Sequence, residues 1–153
     1  MGTNFFFFTH NKEAAKRYAP YSYELVDEPD FGYEIHVGKR SGGWLPLFQA
    51  HKGGMQSVAD FKMAYDTGEF KIYDEYGNEF DWDGFNAQLL RWNGGVKGAI
   101  PREKIEQPQN LVYYDPDLPE YKPISHFDYG HGKYADEYFK DDQGYEFTAQ
   151  EFS

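Results

Sequence analysis

Four consecutive phenylalanines, Phe5–Phe8, restrict the fold of this chain more than any other feature of its sequence. All four rings are stabilised by leaving water, and a β-strand directs successive side chains to opposite faces. A strand with one solvated face would therefore leave two rings in water. The run is also far too short to cross a bilayer. The pattern predicts a β-strand that is covered on both faces.

Local start and stop signals predict the helices. Asn11 is a suitable N-cap for a short helix over about residues 12–18. Ser57 and Gly68 bracket the first main helix, whose apolar face includes Phe61. Asp81 caps a second main helix.

An alternating pattern predicts a strand followed by a hairpin. Tyr33, Ile35 and Val37 alternate with polar residues, which is typical of a half-buried strand. The sequence Arg-Ser-Gly-Gly at 40–43 then turns the chain, and the following residues run back as a second strand. Because Pro46 lacks an N–H donor, we expect this returning strand to lie at a sheet edge or to carry a bulge.

One short pattern occurs twice. Residues 74–80 and 141–147 both read Asp-x-x-Gly-x-Glu-Phe, and each copy is followed by a potential capping residue, Asp81 or Thr148. We predict the same local structure in both copies, a turn, a short strand and a capped helical turn.

Together these patterns predict one α+β domain over residues 1–153. We expect an antiparallel sheet of about five to six strands with two main helices and a long Pro-rich loop. The loop corresponds to residues 96–133, an irregular, insertion-like segment with five prolines and little periodicity.

The composition excludes several classes of site. Cysteine is absent, which excludes disulfides, thiolate metal sites and cysteine nucleophiles. The net charge is −11, and residues 115–153 carry ten acids and three bases. Binding to a nucleic-acid backbone is therefore disfavoured, and binding to a basic partner is favoured. We expect neither a signal peptide nor a membrane segment.

Several segments resemble one family. They are MGTNFF at 1–6, HVGKRSGGW at 36–44, YDEYGNEF at 73–80 and QGYEFTAQEFS at 143–153. In this order they resemble a family of small uncharacterised proteins of tailed bacteriophages. The resemblance implies a phage origin and a shared fold, but no reaction. We expect the protein to act in the host cytoplasm. Many members carry closely spaced cysteines before the His-x-Gly-Lys segment. This chain has none, so a metal site there is not carried over.

The HVGKRSGGW segment is also a candidate anion site. Glycine turns can present backbone N–H groups to a phosphate, and neighbouring cations add charge. The candidate ligand-binding residues are His36, Lys39, Arg40, Ser41, Gly42, Gly43, Trp44 and His51. The alternative is an ordinary tight turn with two solvated cations, and the spacing does not match a Walker loop.

Other constellations are weaker candidates. His126, Asp128 and His131 are of residue types that bind metal ions. All three lie in one short stretch, whereas the known site of two histidines and a carboxylate draws its second histidine from far along the chain. A calcium loop counted from Glu79 would require Glu at its twelfth position, which is Leu90. Two of the acidic residues between positions 74 and 83 could form the carboxylate pair of a glycosidase. The alternative is a solvated acidic hairpin. We assign no catalytic residue, no metal and no cofactor.

Three function classes remain open. The first is a phage accessory protein that binds a host protein, such as a defence protein, through an acidic, Tyr-rich surface. The residues proposed for this contact are Asp136, Glu137, Asp141 and Asp142. The second is a module that binds or sequesters a small phosphorylated ligand at the HVGKRSGGW turn. The third is an enzyme without a recognisable motif.

Overall fold

The computed structural model describes residues 2–27, 31–92, 94–95, 123–129 and 137–152. The strands in these residues are β1 (Gly2–Thr9), β2 (Glu24–Val26), β3 (Gly32–Ser41), β4 (Leu47–Gln49), β5 (Lys71–Asp74), β6 (Glu79–Phe80), β7 (Tyr138–Lys140) and β8 (Glu146–Thr148). The helices are α1 (Lys12–Tyr18), α2 (Val58–Asp66), α3 (Trp82–Phe85) and α4 (His126–Tyr129). A π-helical turn over Asn86–Leu90 continues α3. The fold is α+β, as predicted.

The eight strands of the described residues form one sheet in the order β6-β5-β1-β3-β4-β8-β7, and β2 pairs with β3. The pair β4–β8 is parallel and the other pairs are antiparallel. The prediction of five to six strands, all antiparallel, was therefore wrong: the sheet has more strands, and one pair is parallel. Strands of two or three residues are too short to show periodicity, and the β4–β8 pair joins residues that lie far apart in the chain.

The position predicted for the strand after Pro46 was also wrong. β4 begins one residue after Pro46 and pairs with both β3 and β8, so it lies inside the sheet. Because the proline precedes the strand, its missing N–H removes no donor from the ladder.

The two faces of the sheet differ. On one, here called the helix face, Phe61 of α2 contacts the rings of Phe7, Phe48 and Phe147. Phe85 of α3 adds contacts to the same core. The opposite face, here called the groove face, carries Phe6, whose side chain is only partly buried. The run Phe5–Phe8 is thus covered on both sides, as predicted, but less completely on the groove face.

The predicted helix starts are confirmed by their caps. The Asn11 side chain accepts hydrogen bonds from the N–H groups of Glu13 and Ala14, and α1 covers residues 12–18. Ser57 accepts from Asp60 N–H at 3.0 Å, and Asp81 accepts from Gly84 N–H at 2.7 Å. Each cap satisfies a backbone donor that a helix leaves unpaired in its first turn.

The repeated Asp-x-x-Gly pattern forms the same turn twice. Asp74 Oδ1 accepts from Tyr76 and Asn78 N–H, each at 2.9 Å. Asp141 Oδ1 accepts from the equivalent groups of Gln143 and Tyr145, at 3.0 and 2.8 Å. Only the first copy continues into a helix. After the second, the Thr148 hydroxyl accepts from Gln150 N–H without a helical turn, so that part of the prediction was wrong.

A bulge in β3 decides which side chains share a face. Phe5 pairs with Gly38 whereas Phe6 pairs with His36, so Val37 is the extra residue. The extra residue reverses the alternation that follows. His36 therefore lies on the groove face, whereas Arg40 lies on the helix face.

The turn after β3 forms as predicted, but the returning strand pairs with β3 only from Leu47 onwards. Trp44 N–H donates to Ser41 O at 3.2 Å, and Gly43 has a φ of 85°. Of the two glycines in this turn, only Gly43 adopts positive φ.

Gly43→Val is expected to lower the free energy of unfolding by about 1–3 kcal/mol, because a β-branched residue is strained at positive φ. Gly42→Val is the matched control. Added Cβ atoms at Gly42 and at Gly43 both meet open space, so only the backbone angle separates the two variants. Urea unfolding followed by circular dichroism measures the difference. Equal losses in the two variants would contradict a role for positive φ.

The predicted irregular segment, 96–133, lies largely outside the described residues. Within it, Ile124 forms a parallel bridge with Trp44, and α4 follows. The Glu146 carboxylate holds this piece against β8: it accepts the Ser125 hydroxyl, and His126 N–H at 2.7 Å. Burial raises the pKa of Glu146, and these hydrogen bonds oppose the rise.

Candidate functional site

A groove of about 510 Å³ lies on the groove face of the sheet. Its floor comes from the sheet residues Phe6, His36 and Gln49, and Glu34 lies at its rim beside β2. One wall is the segment between α1 and β2, and another is the chain after β8. The wall residues are Tyr21, Ser22, Tyr23, Glu24, Ala149, Glu151 and Phe152, and the chain after β4 adds Ala50, His51 and Lys52.

His51 connects the first wall to the sheet. Its side chain is 2% exposed, and its Nε2 atom lies 2.6 Å from the His36 carbonyl oxygen. Because a carbonyl only accepts, Nε2 carries the hydrogen of the neutral ring, and Nδ1 is left as an acceptor. The Ser22 hydroxyl, 2.5 Å away, therefore donates to Nδ1. Burial lowers the pKa of His51 to about 4, so the ring is neutral at pH 7.

His36 is held in the floor of the groove. Its Nε2 lies 2.8 Å from Asn4 Oδ1, and its Nδ1 lies 3.4 Å from Gln49 Oε1. The ring packs edge-on against Phe152 at 4.7 Å between centroids, and Phe6 lies 5.4 Å away on the same face. Burial lowers the pKa of His36 to about 4. His36 is therefore a neutral, rigid element of the floor.

Two carboxylates meet at the rim of the groove. Glu24 and Glu34 are direct partners in the antiparallel β2–β3 pair, which places their side chains side by side. Burial raises the pKa of Glu34, and the charge of Glu24 raises it further. Like charges in this position repel each other, and a cation placed between them would be attracted by both.

A second hollow of about 460 Å³ adjoins the first and shares Phe6 and Glu34 with it. Its lining includes Tyr73, Glu75 and Tyr76, and Tyr76 is 71% exposed. The Glu75 carboxylate accepts from Asn4 N–H at 2.7 Å. The two hollows give the groove face a continuous surface of aromatic and acidic side chains.

The structure divides the predicted anion site between two faces. His36 and His51 lie together in the groove. Arg40 lies on the helix face, where its Nη1 donates to Gln88 Oε1 at 2.8 Å and its guanidinium lies 5.0 Å from the Trp92 ring. Arg40 is therefore a packed side chain. It is not one of the two solvated cations that the tight-turn alternative predicted.

The other residues of that prediction lie at the end of the sheet. Ser41 O accepts from Trp92 Nε1, and Gly43 N–H donates to Gly94 O at 2.6 Å. Trp44 is half-buried and stacks on His126 with centroids 4.5 Å apart. Lys39 lies on the same face of the sheet as His36, because it is the direct partner of Asn4, whose side chain contacts the His36 ring. The turn thus does not form one pocket with His36 and His51.

The four acids proposed for partner binding differ in environment. Glu137 and Asp142 are exposed, whereas Asp136 lies outside the described residues. The Asp141 carboxylate is occupied: besides its own turn, its Oδ2 accepts from Val58 N–H at 2.9 Å, at the start of α2.

The remaining candidates have structural roles. Asp74 is 8% exposed and holds its turn, so the hairpin at 74–80 is not simply a solvated acidic surface. Within the described ranges, no group of three His, Asp or Glu side chains is arranged to hold a metal ion. His131, from the predicted His126–Asp128–His131 set, lies outside those ranges.

Sequence reasoning missed Ser22, Glu24, Glu34 and Phe152 as site residues. The alternation around Ile35 does place Glu34 and His36 on one face of a strand, and this was the available signal. Nothing local indicated that residues 21–24 and 149–152 would cover that face.

No protein-family model matches the chain, and no curated protein or solved structure matches it either. Among the helices of the described residues, none has the length and apolar character required to span a membrane.

Proposed function

We propose that this protein binds a basic segment of a partner protein in the groove on the open side of its sheet. The observation that supports this most directly is the Glu24–Glu34 pair at the rim of an aromatic groove. A Lys or Arg side chain between these carboxylates would relieve their repulsion, and nearby tyrosine rings would attract the same cation.

The charge of the lining favours a cationic ligand over a phosphorylated one. Among its described residues the groove has three glutamates, Glu24, Glu34 and Glu151, against one lysine, Lys52. A phosphate would be repelled by this balance. The phosphorylated-ligand hypothesis is further weakened because Arg40, which was to supply part of the positive charge, lies on the other face of the sheet.

The family resemblance suggests what the partner is. If the chain is a phage accessory protein, the partner is a host protein, and the contact takes place in the host cytoplasm. The net charge of −11 would steer a basic surface towards the groove and would make association sensitive to salt. This proposal keeps the acidic, Tyr-rich surface of the sequence prediction but places its centre at β2 and β3.

A fluorescein-labelled peptide of alternating lysine and glycine tests the proposal by fluorescence anisotropy. We expect Glu24→Gln with Glu34→Gln to weaken binding at least about tenfold, which corresponds to 1.4 kcal/mol. Glu137→Gln with Asp142→Asn is the matched control, since it removes the same charge from the exposed C-terminal acids.

The two double variants distinguish a groove from a general acidic surface. Retained binding in the Glu137–Asp142 variant and loss in the Glu24–Glu34 variant support the groove. Equal weakening in both would show that the peptide responds to net charge alone, and the groove would be rejected as the binding site.

A further inference from the structure

We propose that Ser22 is a nucleophile, with His51 as its general base, that cleaves carboxylic esters of cationic alcohols in the groove. This activity goes beyond peptide binding and does not depend on it. It depends on the arrangement of three groups where one wall of the groove meets its floor: an exposed serine, a buried imidazole and the backbone carbonyl that orients the imidazole.

The hydrogen bonds fix the direction in which a proton can move. The His36 carbonyl accepts from His51 Nε2 at 2.6 Å, which leaves Nδ1 as the acceptor facing the Ser22 hydroxyl at 2.5 Å. A base oriented in this way by a third group is the arrangement that activates a hydroxyl nucleophile. The loop that follows His51 fixes the backbone of that residue, because His51 N–H donates to Met55 O at 2.8 Å.

The groove leaves Ser22 accessible, keeps His51 neutral and carries Lys52 in its lining. Ser22 is exposed and lines the groove, so a substrate carbonyl can approach its hydroxyl. His51 is neutral at pH 7 and its Nδ1 faces the Ser22 hydroxyl, so it is placed to accept the proton, and its pKa of about 4 makes it a weaker base than an ordinary imidazole. Lys52, the next residue along the chain, lines the same groove, so it brings a positive charge to the groove in which the oxyanion would develop.

The reaction balances without any further reagent. Ser22 Oγ forms a bond to the ester carbonyl carbon as its proton passes to His51 Nδ1. The bond from that carbon to the alcohol oxygen then breaks, and the alcohol leaves with the proton from His51. Water attacks the acyl group on Ser22 next, with His51 again accepting the proton, which releases the carboxylic acid and restores the serine.

The preference for a cationic alcohol follows from the groove lining. Glu24 and Glu34 lie at the rim, and the rings of Tyr21 and Tyr23 line the wall that carries Ser22. Carboxylates and aromatic faces both attract an ammonium group. An ester held by these side chains through its ammonium group would have its carbonyl close to the Ser22 hydroxyl.

Labelling with a fluorescent fluorophosphonate tests the nucleophile. We expect a label on Ser22, located by peptide mass spectrometry, that is absent from Ser22→Ala. His51→Gln should slow labelling at least about a hundredfold. Glutamine can still donate to the His36 carbonyl but provides no base, so this variant separates base from anchor. Ser41→Ala, outside the groove, should label like the wild type.

Two labelling results would contradict the role proposed for Ser22 and His51. A folded wild-type protein without a label on Ser22, or labelling that His51→Gln leaves unchanged, would overturn the proposal. Circular dichroism and the melting temperature of each variant establish that loss of labelling is not loss of fold.

Two isosteric thioesters test the substrate class. Acetylthiocholine carries a trimethylammonium group, and S-(3,3-dimethylbutyl) thioacetate replaces its nitrogen with carbon. We expect kcat/KM to be at least about tenfold higher for the cationic compound, and Glu24→Gln with Glu34→Gln to abolish that preference. A thiol-reactive disulfide dye reads the released thiol without background, because the chain has no cysteine. Equal rates for the two thioesters in the wild type would overturn the substrate class.

The failure of this proposal and that of peptide binding are distinguishable. Ser22→Ala abolishes thioester cleavage but leaves the rim carboxylates that bind the lysine–glycine peptide. Peptide binding without labelling would overturn only the nucleophile, and labelling without peptide binding would overturn only the proposed function.

Discussion

Phe61→Ala is expected to lower the free energy of unfolding by about 3–5 kcal/mol, the largest loss we predict for a single substitution in this protein. The ring is fully buried and lies 5.7–6.1 Å, centroid to centroid, from Phe7, Phe48 and Phe147. These partners belong to β1, β4 and β8, so one side chain joins α2 to three strands. Truncation removes apolar contact and leaves a cavity that rigid rings cannot fill.

Urea unfolding followed by circular dichroism measures this loss, with Met63→Ala as the control. Met63 lies on the same helix but is 65% exposed, so its truncation should change stability by less than about 0.5 kcal/mol. A loss below about 1.5 kcal/mol for Phe61→Ala would contradict the packing of α2 against β1, β4 and β8.

Acidification is expected to destabilise the wild-type protein, and His51→Gln should reduce that effect by up to about 3 kcal/mol. Burial lowers the pKa of His51 to about 4 in the folded state, against 6.5 for an ordinary imidazole. Between these values the unfolded chain binds a proton that the folded chain does not. The stability contributed by neutral His51 is therefore complete above pH 6.5 and is lost as the pH falls towards 4.

Urea unfolding of both proteins at several values between pH 4 and 7.5 measures this difference. His36 and His126, whose pKa values are also lowered by burial, titrate with the same sign in both proteins. Glu34 and Glu146 have raised pKa values, so they act in the opposite sense, again in both. The contributions of His126, Glu34 and Glu146 cancel in the comparison. That of His36 cancels only in part, because the charge of His51 also lowers the pKa of His36. Parallel curves for wild type and His51→Gln would show that His51 is not held neutral by burial.

The features predicted correctly depend on contacts between near neighbours in the chain. Asn11, Ser57 and Asp81 cap helices through N–H groups two or three residues further on. The twin turns at Asp74 and Asp141 are closed by bonds across four residues. Such interactions are local in sequence, so a short stretch of residues contains everything that they require.

The sheet was only partly predictable for the opposite reason. A strand of two or three residues, such as β6 or β2, gains its stability from its partner and not from its own pattern. The parallel pair β4–β8 joins Phe48 to Phe147, and no local signal relates the two residues. The count and the direction of the strands therefore depend on long-range pairing.

The groove shows most clearly which features depend on local contacts and which depend on long-range pairing. The sequence by itself determined that the chain forms an α+β fold with capped helices, a Gly43 turn and a strand carrying Glu34 and His36 on one face. Only the tertiary structure decided that the bulge at Val37 sends Arg40 to the helix face and keeps His36 in the groove. It alone brought Ser22 to His51, 29 residues away, and Phe152 onto His36. The physical reason is that caps and turns are closed by neighbouring backbone groups, whereas a one-residue change in strand register moves every following side chain to the other face.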